Sequence, residues 1–318
     1  MKRHLLFLAA LLIVNLAASA QKKFSVYAVG FYNQENLFDT CHDEGKKDYE
    51  YLPNKGWNGM KYTNKLRNMS KALADMGTDV LPNVGCAFIG LAEVENHKVL
   101  DALVDQAPLK ARNMKYVHIE GPDRRGIDCA LLYNPSLFSV KNVKLLPYVQ
   151  ELAKDSAFFT RGFLTVRGEM AGDDVAVIVC HWPSRFSGPF YRESAARQVK
   201  VIKDSLLNVN QEMKIFVMGD MNDDPVNKSM HVYLQAKSEI SQVGAGDMYN
   251  PWYNVLAKEG KGTLFYSGNW NLFDQIVITP NLLNKDAKNK DYSSLKYWKS
   301  HIFRRDYLIQ QEGQNKGA

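Results

Sequence analysis

The chain has 318 residues, 46% of them hydrophobic, and a formal net charge of +6. That is enough apolar sequence for one large core, and the absence of a linker, a low-complexity block or a repeat of roughly 20 to 50 residues excludes a solenoid or propeller. The weak positive balance suits an anionic ligand, yet it falls well short of the dense Lys/Arg stripe that marks nucleic-acid binding by charge alone.

The N-terminus carries Lys2 and Arg3, an apolar stretch from Leu5 to Leu16, and then Ala18-Ser19-Ala20. This is the layout of a secretory signal peptide over residues 1–20, with Gln21 opening the exported product, periplasmic or secreted. A bilayer span needs roughly 20 apolar residues in a row, so no transmembrane anchor is expected. Losing Lys2 and Arg3 lowers the formal charge to +4 over the remaining 298 residues. Export allows a disulfide, for which Cys41 and Cys86 are the candidates; Cys129 and Cys180 sit in apolar runs, where cysteine acts as a small hydrophobe.

Runs rich in Val, Ile, Phe and Tyr predict strands over residues 24–32, 87–92, 127–133, 163–168, 175–180, 214–218 and 272–279. Between them, Leu66, Met69, Leu73 and Met76 fall at helical spacing, as do Ala195, Val199, Ile202 and Leu206. Many strands with few covering helices predict two packed sheets flanked by helices, in a single domain over residues 21–318. Most of these runs stop at a polar residue. Asn33 and Glu35 follow the first, Glu93 the second, His181 the fifth, and Asp220 and Asn222 the sixth, while Asp274 interrupts the last. Rigid strands can aim such side chains at one shared point.

The chemistry of each is specific. Asp220 and Asn222 stand two apart, so in extended backbone both point one way and offer a hard cation oxygen donors; the alternative is an ordinary surface turn. A carboxylate at the end of an apolar strand is costly unless paired or metal-bound, which singles out Glu93 as the main metal ligand, with Asn33 and Glu35 as a second oxygen cluster. His181 can donate a proton to a developing oxyanion, and Arg185 and Arg125 can contact phosphate. Against these readings stand a satisfied core histidine, a surface hairpin at Arg125 and the solvated face of a helix for the basic residues beyond Arg185. Asp274 would orient a histidine or bind a second metal.

Taken together, residues 32–39, Glu93, residues 125–128, 181–185 and 219–222, and Asp274-Gln275-Ile276 closely resemble the endonuclease/exonuclease/phosphatase family. The resemblance implies a four-layered α/β sandwich around two central, mainly antiparallel sheets. It implies a Mg²⁺-dependent phosphoester hydrolase, with Mn²⁺ or Ca²⁺ as alternatives, and a monomer acting on nucleic acid, lipid head groups or small phosphate esters. By the same resemblance, Glu93 looks like the main metal ligand with Asn33 and Glu35 beside it, Asp220 and Asn222 like the pair that activates water and positions phosphate, His181 like the electrophilic or acid histidine, and Asp274 like the partner of a second catalytic histidine. That histidine belongs to a C-terminal Ser-Asp-His motif, for which Ser300-His301 is the nearest match, so the last family strand is expected to be lacking. Gly162 stands where relatives tend to carry aspartate. A weakly active or inactive phosphate-ester-binding protein of this fold is the alternative reading.

Overall fold

The computed structural model describes residues 24–151, 159–286, 288, 290–313 and 316; the leader expected at residues 1–20 lies outside the described residues. One sheet has the order β1-β2-β4-β3, built from β1 (Ala28–Leu37), β2 (Cys86–Val94), β3 (Lys115–His118) and β4 (Asp128–Tyr133). The other joins β5 (Ser139–Leu146), β6 (Phe163–Met170), β7 (Asp173–His181), β8 (Lys214–Asp220), β9 (Ala236–Lys237), β10 (Met248–Tyr249) and β13 (Asp274–Ile278) in the order β5-β6-β7-β8-β13-β10-β9. A separate hairpin pairs β11 (Leu264–Tyr266) with β12 (Asn269–Asn271). Antiparallel pairings predominate, and β1–β2, β7–β8 and β9–β10 are parallel.

Three apolar layers hold these parts together. Between the sheets lie Phe88, Leu131, Phe138, Val166, Val177 and Met218. The outer face of the larger sheet is covered by α4 (Pro189–Val209), which buries Ala195, Ala196 and Val199 against Ile178, Ile215 and Val217. On the smaller sheet, α1 (Gly59–Asp75), α2 (His97–Val104) and α3 (Ala107–Ala111) cover Ile89, Leu91 and Leu132 with Leu66, Leu73, Leu100 and Leu109. The result is the four-layered sandwich with helices outside. The helices start where side chains satisfy free backbone amides: Asn58 accepts from Lys61 N, and Asn96 from Lys98 N and Val99 N.

The predicted runs all fall on strands, with shifted ends; β1 starts at Ala28 and continues to Leu37 because Leu37 regains pairing with Val94 after a bulge. Strands β3 and β5 escape a pattern search because each lies at a sheet edge with little of its surface buried. The disulfide is not formed: Cys41 is exposed, and buried Cys86 donates its thiol to Met76 O. Gly162 also has a local reason, since a Cβ there would meet Leu146 O at 2.4 Å. Among the described residues after β13, only two short 3₁₀ turns follow, Pro280–Leu282 and Asp306–Leu308, and no strand.

Phe88 is fully buried between the sheets and touches Phe138 and Phe216, with ring centroids 5.1 and 5.5 Å away. Phe88→Ala is expected to cost about 3–5 kcal/mol, read as a lowered denaturant midpoint in chemical unfolding; a change under about 1 kcal/mol would contradict this packing.

Candidate active site

The site forms where strands of both sheets end. The parallel register of β7 and β8 sets His181 beside Asp220, and the antiparallel register of β8 and β13 sets Asp220 beside Asp274. Gly219 permits this closeness, because a Cβ at that position would meet Cys180 O at 2.2 Å. From the smaller sheet, two bulges supply the facing side chains. Pairing of β2 breaks between Ala92 and Val94, and Glu93 adopts φ 60°; pairing of β1 breaks between Asn33 and Leu37, where Glu35 and Asn36 adopt φ 49° and 62°. Left-handed backbone at a non-glycine residue costs on the order of 1–3 kcal/mol, and a bulge re-aims a side chain out of the strand's alternation.

Glu93 Oε1 and Asp220 Oδ2 lie 3.7 and 3.8 Å from His181 Nε2, and the donor atoms of these three residues all fall within 4.8 Å of one another. Arg125 Nη2 stands 3.9 Å from Glu93 Oε1. Asn33 donates to Asp220 Oδ2 at 3.0 Å, and its own amide oxygen accepts from Glu35 N at 2.8 Å. Its amide thus orients Asp220, while the exposed side chain of Glu35 lies outside the cluster of three at the rim. Asn222, at φ 49°, donates its backbone amide to Asp220 Oδ1 at 2.9 Å and its side-chain amide to Trp182 O at 3.0 Å.

Electrostatics follow from this crowding. Burial, and then the Glu93 charge, push Asp220 up to about 6 against the opposing hydrogen bonds from Asn222 and Asn33. Asp274 rises well above the ordinary carboxylate range through burial and the neighbouring Asp220. For His181 the influences compete: two carboxylates lie near Nε2, but burial first, then Arg161 and Arg125, lower it well below the usual imidazole range. His181 is therefore neutral, and its Nδ1 has no hydrogen-bond partner. Desolvated carboxylates crowded together, with Arg125 only at 3.9 Å from Glu93, fit a hard divalent cation, which prefers oxygen donors.

Other residues differ from the sequence reading. The Arg185 guanidinium is taken up by protein acceptors. Its guanidinium donates to Asn222 O, Asn271 Oδ1, Asp224 Oδ2 and Asn227 Oδ1 at 2.8–3.2 Å and lies 4.4 Å above the Phe273 ring. It clasps the turn after β8 to the hairpin. Asp274 has no histidine beside it among the described residues and is bonded to Thr263. His301 instead meets Asp79 at 2.9 Å, and Asp79 lies near Cys86, at the start of β2. Seven residues of extended chain separate Cys86 from Glu93, about 20 Å, so His301 does not serve this site.

Three contributors escaped the sequence reading or were underweighted. Arg161 is nearly buried, bonds Asp123 at 3.0 Å and Trp182 O at 3.1 Å, and sends positive potential onto His181. Tyr51 stacks on Phe38 at 4.1 Å and feels both Arg125 and Glu93. Lys65 reaches from α1 to Glu35 O at 2.8 Å. The signals of the last two are weak in sequence because Tyr51 lies in a short 3₁₀ turn, Tyr49–Tyr51, and Lys65 sits within a helix.

A sequence model of the endonuclease/exonuclease/phosphatase family matches residues 28–318. The chain belongs to that family. No curated protein matches it in sequence. Among solved structures it is similar to ANGEL2, a 2′,3′-cyclic phosphatase, with TM-score 0.53 and 13% identity over 80% of this chain and 82% of that one. It is also similar to a mannosyl-6-phosphatase of Bacteroides thetaiotaomicron, with TM-score 0.50 and 13% identity over 80% and 86%. For TDP2 of Caenorhabditis elegans the TM-score is 0.46 at 15% identity over 68% and 78%. At such identities the likeness to the first two speaks for the fold alone.

A raised carboxylate pKa links stability to pH. Asp220 at about 6, against about 4 when unfolded, contributes stability that is present below pH 4 and lost as pH rises through 6. In EDTA, Asp220→Asn should therefore gain on the parent by about 2–3 kcal/mol between pH 4 and pH 8, measured by thermal unfolding across pH. Identical pH dependence in the two proteins would contradict the crowding.

Proposed function

We propose that this chain is a divalent-metal-dependent phosphoester hydrolase acting outside the cytoplasm. The observation that carries the reading is the meeting of Glu93, Asp220 and neutral His181 at the shared edge of two sheets, with Arg125 and Arg161 behind them. The N-terminal leader pattern supports export. ANGEL2 and the Bacteroides mannosyl-6-phosphatase, named for phosphatase activities, support phosphate esters as the substrate class.

Glu93 and Asp220, with Asn33 holding the latter, would bind Mg²⁺, or Mn²⁺ or Ca²⁺ in its place. When bound, the cation neutralises charge on phosphoryl oxygens. Asp220, held by Asn33 and by the amide of Asn222, would orient and activate the attacking water beside that cation. His181 is held neutral, so its ring N–H can donate to a phosphoryl oxygen or leaving group as charge develops there. Asn222 fixes the Asp220 carboxylate through its backbone, and Arg125 adds positive charge beside Glu93.

A second reading, a phosphate-ester-binding protein with little turnover, is favoured by one observation: Asp274 has no histidine beside it among the described residues. Loss of one acid–base group typically costs about 10²–10⁴-fold in rate.

Release of p-nitrophenol from bis(p-nitrophenyl) phosphate or nicking of plasmid DNA with Mg²⁺ tests the proposal. Glu93→Ala and His181→Ala should each lower kcat/KM by about 10²–10⁴-fold, and EDTA should abolish turnover reversibly. Activity unaffected by both substitutions would sink the reading; calorimetric binding of a phosphate ester without turnover under any of the three cations would favour the second.

A further inference from the structure

Arg125 reaches the site from residues 119–127, a loop that joins β3 to β4 without helix or strand of its own. Its Nη2 stands 3.9 Å from Glu93 Oε1, beyond hydrogen-bond reach, and the side chain is 50% exposed. The guanidinium therefore keeps its donors for a ligand, whereas that of Arg185 spends them on the protein. A cation carried on a loop serves a site only if something fixes the loop. Here the clamp comes from far away in sequence. Lys46 Nζ donates to Gly121 O at 3.1 Å and to Asp123 O at 3.2 Å, and Lys47 N donates to Arg124 O at 2.7 Å. The Lys46 stem lies over Gly126, which at φ 80° has no side chain to oppose it; a Cβ there would meet Lys46 Cγ at 3.2 Å.

Asp123 is where the clamp meets the site. Its carbonyl accepts from Lys46 Nζ and Gly126 N, its Oδ1 accepts from Arg125 N at 2.8 Å, and its Oδ2 pairs with Arg161 Nη1 at 3.0 Å. Arg161 in turn donates to Trp182 O, next to His181. The segment that carries Lys46 is itself anchored. Lys46 N donates to Asp43 O, Asp43 N to the buried Asp48 Oδ2 at 2.7 Å, and Asn96 Nδ2 to Asp43 Oδ2 at 2.9 Å. Asn96 caps α2 three residues beyond Glu93, so the clamp and the carboxylate share one rigid frame. We propose that Lys46 is a positioning residue: through Gly121 and Asp123 it fixes Arg125 beside Glu93, where the guanidinium binds a phosphoryl oxygen of the substrate. This rests on the hydrolase reading above. A guanidinium–phosphate contact is directional, so a loosened loop forfeits it while the strands keep Glu93, Asp220 and His181 in place.

The test is a double-mutant cycle on the full chain in Mg²⁺, following p-nitrophenol release from bis(p-nitrophenyl) phosphate by the parent, Lys46→Met, Arg125→Ala and the double variant. Methionine keeps a stem over Gly126 and removes the donors and the charge. Lys46→Met is expected to lower kcat/KM about 10- to 100-fold in the parent, and less than about 2-fold once Arg125 is alanine. A lysine with a merely structural role would cost the same in both backgrounds. Lys47→Met removes the neighbouring charge but keeps the backbone bond to Arg124, and should change kcat/KM less than about 2-fold. No loss in Lys46→Met, an equal loss in Lys47→Met, or full additivity of Lys46→Met with Arg125→Ala overturns the proposal. If the parent hydrolyses no ester, the hydrolase reading fails, and calorimetric titration of the same proteins with inorganic phosphate in Mg²⁺ decides the positioning role. Binding that Lys46→Met weakens about 3- to 10-fold, but not in the Arg125→Ala background, supports it; no loss, an additive loss or no binding by the parent overturns it. Should Lys46→Met not fold, Lys46→Gln takes its place in both experiments with the same outcomes.

Discussion

Asp220 sits at the end of a fully buried strand, its two oxygens held by Asn33 and by the amide of Asn222, with Glu93 and Asp274 close enough to oppose its ionisation. Gathering carboxylates out of water is unfavourable, and every neighbouring feature serves either to hold them there or to compensate them. The two sheets supply the rigidity. Their shared apolar layer fixes strand ends that come from opposite halves of the chain, since Asn33 and Asp220 are 187 residues apart. The cost also appears in the backbone, where Glu35, Asn36, Glu93 and Asn222 all take left-handed conformations at the site.

Behind the carboxylates, a second set of charges holds the loops. Arg192 is buried on α4, forms an ion pair with Asp223 at 2.8 Å and donates to Ser184 O at 2.9 Å, while Arg185 reaches Asp224, Asn227 and Asn271. These contacts pin the turn after β8 to the loop after His181 and to the hairpin. Arg161 acts similarly from the other side, joining Asp123 to Trp182 O. The arginines nearest the chemistry thus divide into positioning groups, such as Arg185 and Arg192, and groups whose charge reaches the reacting residues, Arg125 and Arg161. The neutrality of His181 depends on that second pair as well as on burial.

Much of this was legible in the chain. The apolar runs before Glu93, His181 and Asp220 determined three buried strands, because a continuous apolar stretch has few other places to go. A polar residue directly after such a run must lie at a strand end, and so the positions of the site residues followed from local pattern. Composition alone could not have done this; position relative to the runs did. The resemblance of the joined motifs to the endonuclease/exonuclease/phosphatase family was legible for the same reason, since each motif is a strand end with its turn.

Long-range partners were not legible, because periodicity records which face is buried and not what meets it. Nothing near Arg185 in sequence told that Asn271, 86 residues on, would take its guanidinium, nor that His301 would pair with Asp79 at the far end of β2. The bulges that turn Glu93 and Glu35 are set by the registers of β1, β2 and β4, and the shift of Asp220 is set by charges that three strands bring together. The sequence by itself determined which residues stand at strand ends and what chemistry they carry. Only the tertiary structure decided which of them meet, because register and burial, and hence local field, arise when the sheets pack.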